Sequence, residues 1–143
     1  MATTSTTSNR FLYEFASGNI DLDGDTIRII LMNTTFSFNR KTHDTLADVT
    51  SDQLPGVFGY TQDAKTLYNP YVSRIDASDK VTVSWDNPSW TAVGGDIGWS
   101  GAAIIYDDST DDDIIIGCID FGTDIKIDDG ESTQIVNIIF ELS

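Results

Sequence analysis

Three aspartates at alternate positions, Asp21, Asp23 and Asp25, precede an apolar run in "GNIDLDGDTIRIILM", residues 18–32. Carboxylates at loop positions 1, 3 and 5 begin an EF-hand-type calcium site, which also needs Gly at 6 and a bidentate Glu at 12. Counted from Asp21, position 6 is Thr26 and position 12 is Met32. The glycine falls two places early, the bidentate ligand is missing, and a strand-like run follows where a helix is required. These aspartates therefore read as a turn from helix to strand, with Gly24 supplying a positive φ if one is needed. No metal is expected there.

Nucleophilic chemistry has little to build on. His43, the single histidine, precedes Asp44, and Cys118 is the single cysteine. No G-x-S-x-G elbow occurs, and Cys118 sits within the apolar "IIIGCIDF" as a small buried residue would. One cysteine allows neither an intramolecular disulfide nor a multi-cysteine metal site. Paired carboxylates for glycoside cleavage are formally available among 23 acidic residues, but that abundance singles out no pair. The expectation is no catalytic residue, no cofactor and no enzyme; the enzyme-class rival is a small hydrolase using scattered aspartates.

Trp85, Trp90 and Trp99 cluster near Pro88 and several glycines. Trp85 continues the Val81/Val83 face of "KVTVSWD" and reads as core. Trp90 and Trp99 suit either a core or an exposed surface, where such rings stack on sugars or bury at a protein interface. Both are kept as interface candidates.

The elements that must position these residues follow from periodicity. In "SNRFLYEFASG", Phe11, Leu12 and Phe15 recur at helical spacing, Ser8 can cap the first turn and Gly18 suits the end, so a helix is predicted over 9–17. "TIRIILM" alternates as a strand covered in part on both faces. A second short helix is predicted at 43–49, with Thr42 as its cap, before Pro55, Gly56 and Gly59 interrupt the chain. Further strands are predicted at 66–75, 79–86, 89–93, 98–106, 113–121, 124–127 and 133–142, separated by turn-forming "DASD", "DDSTDDD" and "DDGES". "AAIIY" and "IIIGCIDF" are apolar at successive positions and should be covered on both faces. The fold class is mainly β, a β-sandwich or jelly-roll-like domain over 9–143 with a short N-terminal helix and one short loop helix.

Residues 2–8 carry no large apolar side chain, and residues 1–8 read as a flexible arm, disordered in the isolated protein. Thr3, Thr4, Ser5, Thr6 and Thr7 are interface candidates, because an uncharged, hydroxyl-rich strand can pair beside another chain. The formal net charge of −15, with no cluster of Lys and Arg, argues against nucleic acid. "MATTSTTSNR" does not read as a secretion signal, and apolar stretches of about six residues fall far short of the roughly 20 a membrane-spanning helix needs. The doubly apolar strands carry apolar residues on both faces, more than a lone sandwich needs, and an oligomer, expected to be a homotrimer, would cover the second face by subunit packing.

"GYTQDAKTLYN", "SWDNPSWTAVGGDIGWSGAAIIY" and "IIGCIDFGTDIKIDDGESTQIVNIIFEL", with "FLYEFASGNIDLDGDTIRIILMN" and "THDTLADV" before them, resemble in order and spacing a family of tailed-phage virion structural proteins. The resemblance runs from about Asn9 onward and rests on turns and strands, not on a catalytic motif. It implies a capsid decoration or cement protein whose partner is the major capsid protein, placed on the outer capsid surface of the virion and in the host cytoplasm before assembly. The alternative it implies is a tail-fibre or receptor-binding module contacting host glycans. Strong acidity and the Trp-rich "DNPSWTAVGGDIGW" set this chain apart from the family pattern.

Overall fold

A computed structural model describes residues 3–142. The chain is mainly β, 42% strand and 12% helical, in antiparallel sheets arranged as a β-sandwich-like fold. Strand β1 (Thr4–Thr7) leads into helix α1 (Asn9–Ala16), followed by β2 (Ile27–Met32), β3 (Lys65–Leu67), β4 (Tyr71–Ile75) and β5 (Lys80–Ser84). Then come β6 (Ser89–Thr91), β7 (Ile97–Asp107), β8 (Ile114–Ile127), β9 (Ser132–Gln134) and β10 (Ile139–Glu141). One sheet has the order β1-β8-β7-β2-β3, a second β10-β5-β4, and β6 pairs with β9.

Helix α1 forms as its sequence dictates: the Ser8 hydroxyl accepts the Phe11 N–H at 2.9 Å, and Gly18, at φ 82°, follows its end. Phe11 is buried against the five-stranded sheet, in a core with Ile27, Ile29, Ile105, Ile116, Val83, Trp85 and Phe140. The opposite face of β2, β7 and β8 buries Ile30, Met32, Ile104, Tyr106 and Ile115. Both faces of the central strands are thus covered, as their composition requires.

What covers the second face differs from the expectation of subunit packing. Leu46, Val49, Phe36 and Phe38 of the chain's own 33–54 segment lie over it. The doubly apolar strands are satisfied within one chain and give no support to a trimer. In that segment, two 3-10 turns (Leu46–Asp48 and Thr50–Asp52) replace the helix predicted at 43–49. Thr45, rather than Thr42, opens the first turn: the Asp48 carboxylate accepts the N–H groups of Asp44 and Thr45, each at 3.1 Å. These hydrogen bonds, led by the one from Thr45, hold the Asp48 carboxyl below its ordinary value.

The stretch read as a flexible arm is also different. Thr4–Thr7 pair antiparallel with β8, setting Thr4 opposite Asp120 and Thr7 opposite Gly117. Thr7 and Ser8 are buried, and the Ser8 N–H donates to Ile116 O at 2.8 Å. Backbone pairing, which needs no large side chain, anchors these residues. They form an edge of the domain, so the domain does not begin at residue 9; residues 1 and 2 of the proposed arm lie outside the described residues. β1 can reach β8 because Gly117 has no side chain: a Cβ there would meet the Thr6 carbonyl and lie 2.6 Å from the Phe140 ring.

Candidate interaction surface

The residues first suspected of chemistry are spent on structure. Asp21 Oδ1 accepts the N–H groups of Asp23 and Gly24 at 3.1 and 3.0 Å, while Asp25 Oδ2 accepts the Asp21 N–H at 3.1 Å. This is a hydrogen-bonded turn, as the sequence indicates. Gly24, however, is not among the positive-φ glycines; its role is space, because a Cβ would lie 2.5 Å from Asp21 Oδ2. No group of three or more His, Cys, Asp or Glu side chains suited to a metal occurs among the described residues.

His43 Nδ1 accepts the Asn39 N–H at 3.0 Å, and its ring packs on Phe36 and Phe38 at centroid distances of 5.5 and 5.7 Å. Cys118 is buried on the same side of the sheet, and burial pushes its thiol up to about 12. A thiol held in its neutral form is not an activated nucleophile. Among the described residues no helix is long and apolar enough to cross a membrane.

The two open tryptophans separate. Trp90, 3% exposed, is core, with the Tyr60 ring at 6.2 Å and the Lys65 ammonium 5.2 Å from its centroid. It is withdrawn as an interface candidate, because β6 pairs with β9 and turns its middle residue inward. Trp99 is 55% exposed, with Lys126 5.2 Å from its centroid; Lys126 also pairs with Asp96 and Asp128. Trp85 is buried as expected, edge-on to Phe140 at 6.4 Å. Val81, expected inward with Val83, is exposed instead. The β4–β5 hairpin extends past the core, and only its Val83 end is covered.

That hairpin carries the largest accumulation of exposed apolar side chains. β4 is the terminal strand of its sheet, paired on one side only, and Tyr71, Val72 and Ile75 are exposed along it. Tyr68 precedes them; by register Ile139 on β10 shares one face of the sheet with Tyr71 and Ile75, while Val81 on β5 shares the other with Val72. An uncovered edge strand with apolar side chains is a template for another protein surface. Residues 64–75 contain Lys65 and Arg74 but no carboxylate. Around the hairpin, Arg74 pairs with Asp76 at 3.0 Å and Lys80 with Glu141 at 2.7 Å. The result is a near-neutral sheet edge, with exposed apolar side chains on both of its faces, on a strongly acidic body.

Sequence reasoning missed Tyr68, Tyr71, Val72 and Ile75. The run "YVSRI" reads as a strand, but nothing local in it tells that the strand goes uncovered. Compared with protein-family models, curated proteins and solved structures, the chain matches none.

Proposed function

We propose that this chain is a non-enzymatic capsid decoration protein of a tailed phage, docking on the outside of the shell through the β4–β5 hairpin. The observation that carries the reading is the exposed β4 edge, where apolar side chains and unpaired backbone groups coincide with the loss of negative charge. Desolvating such a patch costs less than desolvating the surrounding carboxylates, so it is where a protein of net charge −15 can approach a partner. Outer-surface placement suits the acidity, since contact with packaged genome calls for cations. Binding only the mature lattice would stabilise that lattice by linkage. Association as a homotrimer belongs to this proposal on symmetry grounds, because threefold sites let three weak contacts act together.

The test is addition of purified protein to mature shells that lack it, with bound copies counted per particle. Wild-type protein is expected to bind in numbers set by the lattice and to raise the shell's melting temperature. The double variant Tyr71→Ser, Val72→Ser is expected to keep its own melting temperature and lose binding. Unchanged binding by that variant sinks the hairpin assignment, and no binding by wild type sinks the function.

Exposed Trp99 favours one second reading, a tail-fibre or receptor-binding module in which the indole stacks on a sugar. A glycan array read with wild type and Trp99→Ala separates it from the first. Ligand-specific signal lost in the variant, with a few copies per particle, selects the tail.

A further inference from the structure

Among the described strands that end a sheet, β4 is the longest: it has five residues, β1 four, and β3, β6, β9 and β10 three each. Its pairing with β5 runs unbroken from Tyr71 opposite Ser84 to Ile75 opposite Lys80, so no bulge twists the edge away, and no proline lies within it. The direction of its backbone groups follows from the far side of β5. There the Leu142 N–H donates to Val81 O at 2.9 Å and the Trp85 N–H to Ile138 O at 3.2 Å. Successive residues of an antiparallel ladder turn their backbone groups to opposite sides. Val81, Val83 and Trp85 thus serve β10, and Lys80, Thr82 and Ser84 serve Ile75, Ser73 and Tyr71 of β4. The N–H and C=O of Val72 and Arg74 are left pointing outward, where no described strand pairs with them.

The side chains along that edge are uncovered on both faces. By register Val72 lies in line with Val83 and Phe140, which are fully buried, yet Val72 is 52% exposed. On the other face Tyr71 lies in line with Ser84 and Ile139, and Tyr71, Ile75 and Ile139 are all exposed. A flat partner surface covers one face of a sheet. A strand that continues the sheet covers the margin of both and also takes up the outward N–H and C=O groups.

We infer, resting on the docking reading above, that the shell protein supplies an extended strand that adds to β4. Charge restricts its chemistry. Residues 64–75 hold Lys65 and Arg74 and no carboxylate, while the whole chain carries a net charge of −15. An acidic strand is repelled by that body, so the added strand is uncharged or basic. β-Branched or aromatic side chains at its alternate positions meet Tyr71 and Ile75 on one face and Val72 on the other. On the core face the added strand extends the row Phe140–Val83–Val72 by one column.

The test uses mature shells that lack the protein. Proline is tolerated at an edge position whose N–H faces away from the sheet, so Val72→Pro should nearly keep the wild-type melting temperature. Ser73→Pro removes a donor to β5 and should lower it clearly. Val72→Ala keeps the backbone donor and measures the side chain alone; Val72→Pro should bind shells roughly tenfold or more weakly than Val72→Ala. Amide exchange of wild type needs no variant. The Val72 and Arg74 amides should exchange fast in the free protein and slow by roughly tenfold or more on the shell, while Tyr71, Ser73 and Ile75 are slow in both states. Equal binding by Val72→Pro and Val72→Ala, or unchanged exchange at Val72 and Arg74 on the shell, overturns strand addition and leaves docking itself standing. Wild type that binds no shell overturns both. Protection of the same two amides in the free protein, rising with its concentration, assigns the strand to a second copy and overturns the shell as its source.

Discussion

The Tyr60 hydroxyl accepts the backbone N–H of Leu31 at 2.9 Å and donates to Gln53 Oε1 at 2.8 Å. This side chain completes a sheet edge. β3 pairs with β2 only along Ile27–Ile29, so Leu31 lies beyond its reach, and Leu54 N supplies the donor for the Leu31 carbonyl at 3.0 Å. Burial pushes Tyr60 far up, which keeps it a neutral donor at any ordinary pH. Tyr60→Phe preserves the packing but leaves a buried N–H without its partner. The expected loss is about 1–3 kcal/mol in denaturant unfolding, with a near-native far-UV spectrum.

Gly117 is the second position where a small change should have a large effect. An added Cβ meets the Thr6 carbonyl on one side and the Phe140 ring on the other, so Gly117→Ala forces either β1 or the second sheet to move. Both neighbours are fixed, one by the β1–β8 ladder and one by full burial. A loss of about 2 kcal/mol or more is expected, within the range for overpacking in a filled core. Unaltered stability would mean that the close approach is absent in solution.

Truncation of residues 1–7 tests the reassignment of the arm. Removing β1 strips β8 of an edge partner and exposes a ladder that carries Ile119 and Cys118 beside it. The melting temperature should fall clearly, and the shortened protein should aggregate more readily through the bared edge. A flexible arm predicts no change in either property.

The contrast between β1 and α1 shows what could be read beforehand. Helix α1 was legible because its cap, its apolar spacing and its terminal glycine all lie within eleven residues, Ser8 to Gly18. The central strands were legible because full burial leaves a continuous apolar run. β1 was not, since its stability comes from backbone pairing with a strand more than a hundred residues away. The burial of Asp107 was hidden for a similar reason: within "YDDSTDDD" it looks like its neighbours, and only the register against Ile27 and Ile114 buries it. The usable clue was period-two alternation, since Ala103, Ile105 and Asp107 fall on one face. The hairpin patch was illegible because alternation cannot report that a strand projects beyond its core.

The two tryptophans first considered equivalent give the sharpest paired prediction. Trp90 is enclosed by Tyr60 and Lys65, whereas Trp99 lies half-exposed beside Lys126. Trp90→Ala removes a large side chain from the core and should cost about 3–5 kcal/mol, enough to threaten the fold of a small domain. Trp99→Ala loses mainly an exposed cation–π contact, worth about 0.5–1 kcal/mol, and should leave the melting temperature within a few degrees of wild type. The fluorescence should divide in the same way: Trp99 is the ring accessible to an aqueous quencher, so quenching should fall sharply in Trp99→Ala. Equal destabilisation by the two substitutions would show that Trp99 is also buried, by a second copy or by a conformation other than this one, and would remove it from consideration as a free contact for sugar or shell.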